Sequence, residues 1–188
     1  LMGIPLSTSE VTVGAVVGVG VAYQVLFIKS LSTIMVFWVI VPFTAFILTW
    51  LLAKGLYGLE KRGWTFNHTW IGYVLILAGF LEAFSAGMNN VANAVGPLVG
   101  AGMLKAGPAV WLGGAFVAVG ALLLGAKVVE TNGKKITRFS KAEGILISSV
   151  GAGLVITSSI FGLPVPLVQV TSSSIIGLGT ARNGREVI

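Results

Sequence analysis

Long apolar runs, each near the length of a membrane crossing, alternate along this chain with short polar stretches. The first run extends from about Val11 to Ile28 and is rich in Gly and Val. A second, from about Leu31 to Ala53, carries no charge between Ile34 and Leu52 and holds Pro42, a kink that membrane helices tolerate. The stretch 54–68 is polar, with Lys54, Glu60, Lys61, Arg62 and His68, and Trp64 and Trp70 flank its end as interfacial aromatics do. From Trp70 to Leu104 the pattern changes. At about 1.5 Å per residue this run is too long for one straight crossing and too short for two with a loop. It is also interrupted by the small and polar residues Ser85-Ala86-Gly87-Met88-Asn89-Asn90. The pattern predicts a broken helix: one piece to about Ala86, an unwound joint, and a second piece from Val91 to Met103. Crossings are also expected over Pro108 to Ala126 and Gly144 to Phe161, joined by a loop over 127–143 with Lys127, Glu130, Lys134, Lys135, Arg138 and Lys141. Gly162-Leu163-Pro164-Val165-Pro166 then interrupts the chain before a last segment, Gln169 to Thr180, which ends at Arg182 and Arg185.

Composition makes the bilayer the solvent. Of 188 residues, 55% are hydrophobic and 10% charged, against roughly 25% charged in a soluble domain. The expected fold is all-α and polytopic, with about six membrane segments, two of them broken or re-entrant. The net charge of +6 would suit nucleic acid, but its distribution points to membrane topology instead, because ten of the twelve Lys and Arg fall in the stretches 54–68 and 127–143 and in the C-terminal tail. If the interrupted run makes one net crossing, those three regions share a side, opposite Lys29 and Lys105, and the positive-inside bias makes that side cytoplasmic. With no Cys and one His, disulfides and a metal site are not expected. The opening, Leu1 running into Ile4-Pro5-Leu6-Ser7-Thr8-Ser9, reads as the middle of something longer, without a signal peptide.

Polar residues inside apolar runs carry the candidate chemistry. Asn89, Asn90 and Asn93 cluster at the expected joint, where a helix restarting near Val91 would offer unpaired N–H groups and a partial positive charge to an anion. The same amides could instead cap the break or bond a neighbouring helix. Ser7-Thr8-Ser9 and Ser172-Ser173-Ser174 supply hydroxyls that can donate to an oxyanion or accept from a cation, or simply allow close helix packing. Glu82 and Glu10 are the two acids expected in the apolar zone, candidates for binding a coupling ion or carrying a proton. An internal echo links two of these regions: Pro5-Leu6-Ser7-Thr8-Ser9-Glu10-Val11 matches Pro164-Val165-Pro166-Leu167-Val168-Gln169-Val170, each after a Gly-x-Pro step. The charge count starts the first motif near the cytoplasmic side and the second near the outer side, the opposite orientation that inverted repeats produce.

Phe84 through Leu98, with Met88-Asn89-Asn90-Val91-Ala92-Asn93-Ala94 at its centre, resembles the signature of the inorganic phosphate transporter family, G-A-N-D-V-A-N-A. Pro164 to Gly177 resembles the family's P-V-S-T-T-H-x-x-S-S-S-x-x-G in its second repeat, and Pro5 to Gly14 the same motif closing the first. The resemblance implies that residues 1–53 are the end of the first repeat with a connecting span, and 54–188 the second repeat. It also implies secondary active transport by alternating access around a midplane anion site. Asn89, Asn90, Asn93, Ser172 to Ser174 and Ser7 to Ser9 would then hold the anion, and Glu82, Glu10 and Gln169 would serve the coupling ion.

The departures from the motif bear on substrate. The family's Asp falls on Asn90, its Ser-Thr-Thr on Pro166-Leu167-Val168, and its His on Gln169 and Glu10. Phosphate near neutral pH keeps a proton that a carboxylate can accept, whereas sulfate has none and a carboxylate repels it. Asn at position 90 can donate where Asp cannot, which favours sulfate, and the sequence is similar to the family's sulfate-permease branch. The alternatives are inorganic phosphate symport, a non-transporting structural membrane subunit, and a channel, which would need a continuous wet path. No enzymatic role and no cofactor is expected beyond a coupling Na+ or H+. The expected partners are inorganic sulfate or phosphate, membrane lipid, the missing N-terminal half of the same protein and a second copy in a homodimer. The expected place is the cell membrane.

Overall fold

A computed structural model describes residues 7–64, 67–135 and 139–182, with the backbone alone at 68 and 126–135. Arg138 and Arg185, two of the cations counted above, and Pro5 of the first motif lie outside the described residues. The chain forms α1 (Thr8–Ala22), α2 (Ile28–Lys61), α3 (His68–Gly100), α4 (Ala106–Lys135), α5 (Lys141–Ile160) and α6 (Leu167–Arg182). The protein is an all-helical membrane protein. Its four longer apolar stretches, Ile28–Lys61, Thr69–Gly100, Ala106–Gly125 and Lys141–Ile160, are long enough to cross a bilayer. At 15 and 16 residues, α1 and α6 are shorter than the ~20 a full crossing needs.

Local chemistry sets the helix ends. The Ser7 side chain accepts from the Glu10 N–H at the start of α1, and Asn67 accepts from Thr69 at the start of α3. Ser140 and Glu143 close a reciprocal capping box on α5. At the other end of α5, Gly162 turns with φ +69°, a left-handed conformation that side chains resist, and the two prolines that follow prevent the helix from continuing.

Several sequence expectations are corrected. There is no unwound joint at 86–90: α3 is continuous from His68 to Gly100, with Pro97 inside it. The polar residues in mid-run satisfy themselves without opening the backbone. Ser85 Oγ bonds back to the Glu82 carbonyl at 2.8 Å, and the asparagine side chains reach across to other elements. Helix also replaces much of the two charged stretches, since α2 continues to Lys61 and α4 to Lys135. At about 1.5 Å per residue α2 and α3 are each close to 50 Å long, so the charged ends ride on helix that outruns the hydrocarbon.

The α2–α6 contact organises the core. One buried cluster joins Val41 and Ala45 of α2 to Val165 and Val170, and a second joins Ala53 to Leu178, so the two helices run in the same direction. Their seam is built from small residues: a β-carbon on Gly177 would stand 2.4 Å from the Phe46 carbonyl oxygen. Beside it, α5 runs antiparallel and contacts α2, α3 and α6. The tail of α6 is tied to the start of α5 by Arg182, whose Nη2 lies 2.6 Å from Glu143 Oε2.

Candidate functional site

Two short helices begin at the same point and leave it in opposite directions. α1 starts at Thr8 and runs beside the C-terminal half of α3, where Thr12, Val16, Ala92, Asn93 and Gly96 line a common cavity. α6 starts at Leu167, directly after Pro166, and runs toward the Glu143 end. The echoing motifs therefore meet instead of lying near opposite faces. The Gln169 side-chain amide donates to the Glu10 carboxylate, and these residues stand 159 positions apart, the offset that superposes the two motifs. A contact between equivalent positions is what a two-fold relation between inverted segments generates.

The polarity of the contact is fixed by one carbonyl. Val165 O can only accept, so the Ser9 hydroxyl donates to it at 3.0 Å and an Asn89 Nδ2 hydrogen at 3.3 Å. The Ser9 oxygen then accepts from Asn89 Nδ2 at 3.2 Å and from Asn93 Nδ2 at 2.9 Å. Ser9 has thereby used its one hydrogen and both lone pairs, and Asn89 both amide hydrogens. Asn93 keeps one N–H. Asn90 accepts from the Thr8 hydroxyl at 2.7 Å through Oδ1, which leaves its NH2 available. The backbone N–H groups of Leu167 and Val168 find no acceptor among the described residues. What remains unspent includes donors, amide N–H groups from α3 and the positive end of α6, beside the acceptor oxygens of Asn89, Asn93, Gln169 and Glu10.

This contact forms one wall of a cavity of about 830 Å³ between α1, the start of α2, α3 and the α5–α6 reversal. The lining is mostly aliphatic, with Asn89 and Asn93 as its polar end.

The other residues singled out in the sequence lie elsewhere. Glu82 is two turns before Asn89 on the same face of α3, roughly 10 Å along the helix axis. It accepts from Ser148 Oγ of α5 at 2.6 Å, and Gly151 leaves room for its other oxygen. Ser172 is exposed, Ser173 half-buried, and Ser174 fully buried in the α2–α6 seam with no partner for its hydroxyl among the described residues, a property it shares with Thr49. None of the three serines bonds to the Ser9–Asn89 cluster.

Sequence reasoning missed two features. Glu143, 1% exposed, accepts from Tyr57 Oη at 2.5 Å, from the Ser140 N–H of the capping box and from Arg182, joining α2, α5 and α6. The signal was available as Ser140-x-x-Glu143 ahead of an apolar run. The other is Trp38, whose Nε1 donates to the Pro164 carbonyl at 2.8 Å. No spacing rule could have found that pair, 126 positions apart.

The model of the phosphate transporter family matches residues 60–188. The chain belongs to the phosphate transporter family. Across the whole chain, 65% of positions are identical to the sulfate permease CysP of Bacillus subtilis, and the match covers 53% of that protein. A putative phosphate permease of Thermococcus kodakarensis is 36% identical over 60% of this chain and 30% of its own length. The sodium-dependent phosphate transporter 2 of Xenopus tropicalis is 30% identical over 68% of this chain and 21% of its own. The chain thus spans about half the length of the Bacillus member of the family and less of the others. No solved structure matches it.

Proposed function

We propose that this chain is the part of a secondary transporter that contains its second repeat, carrying a small inorganic oxyanion across the membrane by alternating access, sulfate before phosphate. The observation that carries this is the meeting of two oppositely directed helix starts at a donor-rich contact that lacks Asp. Sulfate has acceptors only, and the contact keeps donors free for it: Asn90 and Asn93 amides and the first N–H groups of α6. The Bacillus relative's name as a sulfate permease agrees with that chemistry. Phosphate is the second reading, favoured by the names of the more distant relatives.

In this reading residues 1–53 close the first repeat and 54–188 form the second, working with a first repeat of matching build. Glu10 lies beside the anion, so its carboxylate opposes binding unless it is neutralised by a coupling proton or sodium ion. Glu82, an acid in the α3–α5 contact, is the second candidate for the coupling ion. The protein works in the cell membrane with 54–68 and 127–143 toward the cytoplasm. Uptake of radiolabelled sulfate and phosphate by the full-length protein in proteoliposomes is the test. Saturable sulfate uptake that excess phosphate inhibits weakly is expected; uptake of neither anion above that of empty liposomes refutes the proposal.

A further inference from the structure

Two carbonyls of the α5–α6 reversal do not serve the helix that follows them. In a continuing α-helix the Val168 N–H would donate to the Pro164 carbonyl, four residues back. That carbonyl instead accepts from the indole of Trp38, which reaches across from α2. The next carbonyl, Val165, is held by Ser9 and Asn89, and the N–H groups of Gln169 and Val170 both turn to Pro166 O at 3.0 and 3.2 Å. With Pro164 O taken by the indole, the Val168 N–H has no acceptor among the described residues, like the first-turn N–H of Leu167 beside it, at the point where α6 meets α1. Unpaired backbone donors in an apolar surrounding are costly unless something accepts from them. The indole N–H, half-buried within a membrane-crossing helix, has the same need and meets it at Pro164.

We propose that Trp38 is a positioning residue for the transported oxyanion: by holding the Pro164 carbonyl it keeps the first-turn N–H of Val168 available to the anion. This rests on the oxyanion reading of the α6 start given above. Trp38 does not touch the anion; it leaves one backbone donor free for it. Without the indole bond, Pro164 O becomes an acceptor for Val168, and the reversal loses its tie to α2.

The full-length transporter carrying Trp38→Phe tests this, alongside a version with 3-benzothienylalanine at position 38, which keeps the shape of indole and removes its N–H. Both should raise the sulfate half-saturation constant about tenfold while leaving the maximal rate within about twofold. Both should lose only the small melting-temperature share of one interhelical bond without sulfate, but need about tenfold more sulfate for the same thermal protection. Should Trp38→Phe fail to fold, the benzothienyl protein carries the test alone. An unchanged half-saturation constant in the benzothienyl protein overturns the proposal. So does a loss of maximal rate and melting temperature with affinity intact, the mark of a purely structural bond. If the parent itself binds neither sulfate nor phosphate, the oxyanion reading falls and this inference with it; parent binding matched by both variants removes this inference only.

Discussion

Ser9→Ala removes the hydroxyl through which α1, α3 and the α5–α6 reversal are joined. Ser9 is fully buried, and its hydroxyl takes part in three bonds, to Val165 O, Asn89 and Asn93. In water-soluble proteins each buried group left unpaired costs about 1–3 kcal/mol. Side-chain bonds between membrane helices are worth less, about 0.6 kcal/mol on average and about 1.7 at most, because the unfolded state in the membrane also finds partners. The smaller figure is the relevant one, and three such bonds put the loss at about 2 kcal/mol, roughly a thirtyfold shift in the folding equilibrium. Thr8→Ala is the internal control: its hydroxyl makes one bond, to Asn90, at an exposed position, so the same scale gives about 0.6 kcal/mol. Reversible SDS unfolding of the full-length protein measures both. Ser9→Ala as stable as the parent, or less costly than Thr8→Ala, would falsify the assignment of Ser9 as the junction of the three elements.

Asn90→Asp should weaken sulfate transport by about 2–5 kcal/mol, the range for a disrupted buried charge contact, and leave phosphate uptake equal or improved; full sulfate transport by this variant, measured by competitive uptake, would remove the preference for sulfate. Glu82→Gln should abolish uphill accumulation while downhill exchange and anion binding persist, as counterflow and gradient-driven uptake in proteoliposomes can separate; accumulation at the parent level would make Glu82 only a tie to Ser148. Gly177→Ala places a β-carbon 2.4 Å from the Phe46 carbonyl, so two backbones must part by about 1 Å, and the melting temperature should fall by the equivalent of about 1–3 kcal/mol. A single cysteine in place of Lys61 should resist an impermeant thiol reagent applied to intact cells; ready labelling would reverse the topology.

Periodicity and charge made the helices legible, because each apolar run had to be helical once the bilayer was the solvent. The helices were placed to within a few residues at most boundaries, as in Gly144 to Phe161 against Lys141–Ile160. The interruption at 86–90 misled for a physical reason. Polar residues in a span need partners, and the sequence does not say whether these come from an opened backbone or from another element. Here they come from Ser9 and Val165, 80 and 76 positions from Asn89, so α3 stays whole and the helix starts at the contact belong to α1 and α6. The echo between Ser7-Thr8-Ser9 and Pro166-Leu167-Val168 did mark the segments that meet, and Glu10 bonding to Gln169 falls on equivalent positions. Which hydroxyls and amides are already spent was not legible, because that accounting needs the acceptor at Val165 to be seen in place.

The length of α6 has a mechanical consequence. Gln169 near its start bonds to Glu10, and Arg182 at its end bonds to Glu143, so one stiff rod of 16 residues is fastened at both tips. Thirteen residues of helix separate the two fastenings, about 20 Å, and a tilt of about 10° at one tip sweeps the other by about 3 Å, more than a hydrogen bond survives. The rod therefore cannot swing freely at the Glu10 end while the Arg182 end stays bonded, unless it pivots on the close approach of Gly177 to Phe46. That point lies nearer to Arg182 than to Gln169, which makes α6 a lever with unequal arms: a small displacement at the charged end becomes a larger one at the end where the two motifs touch.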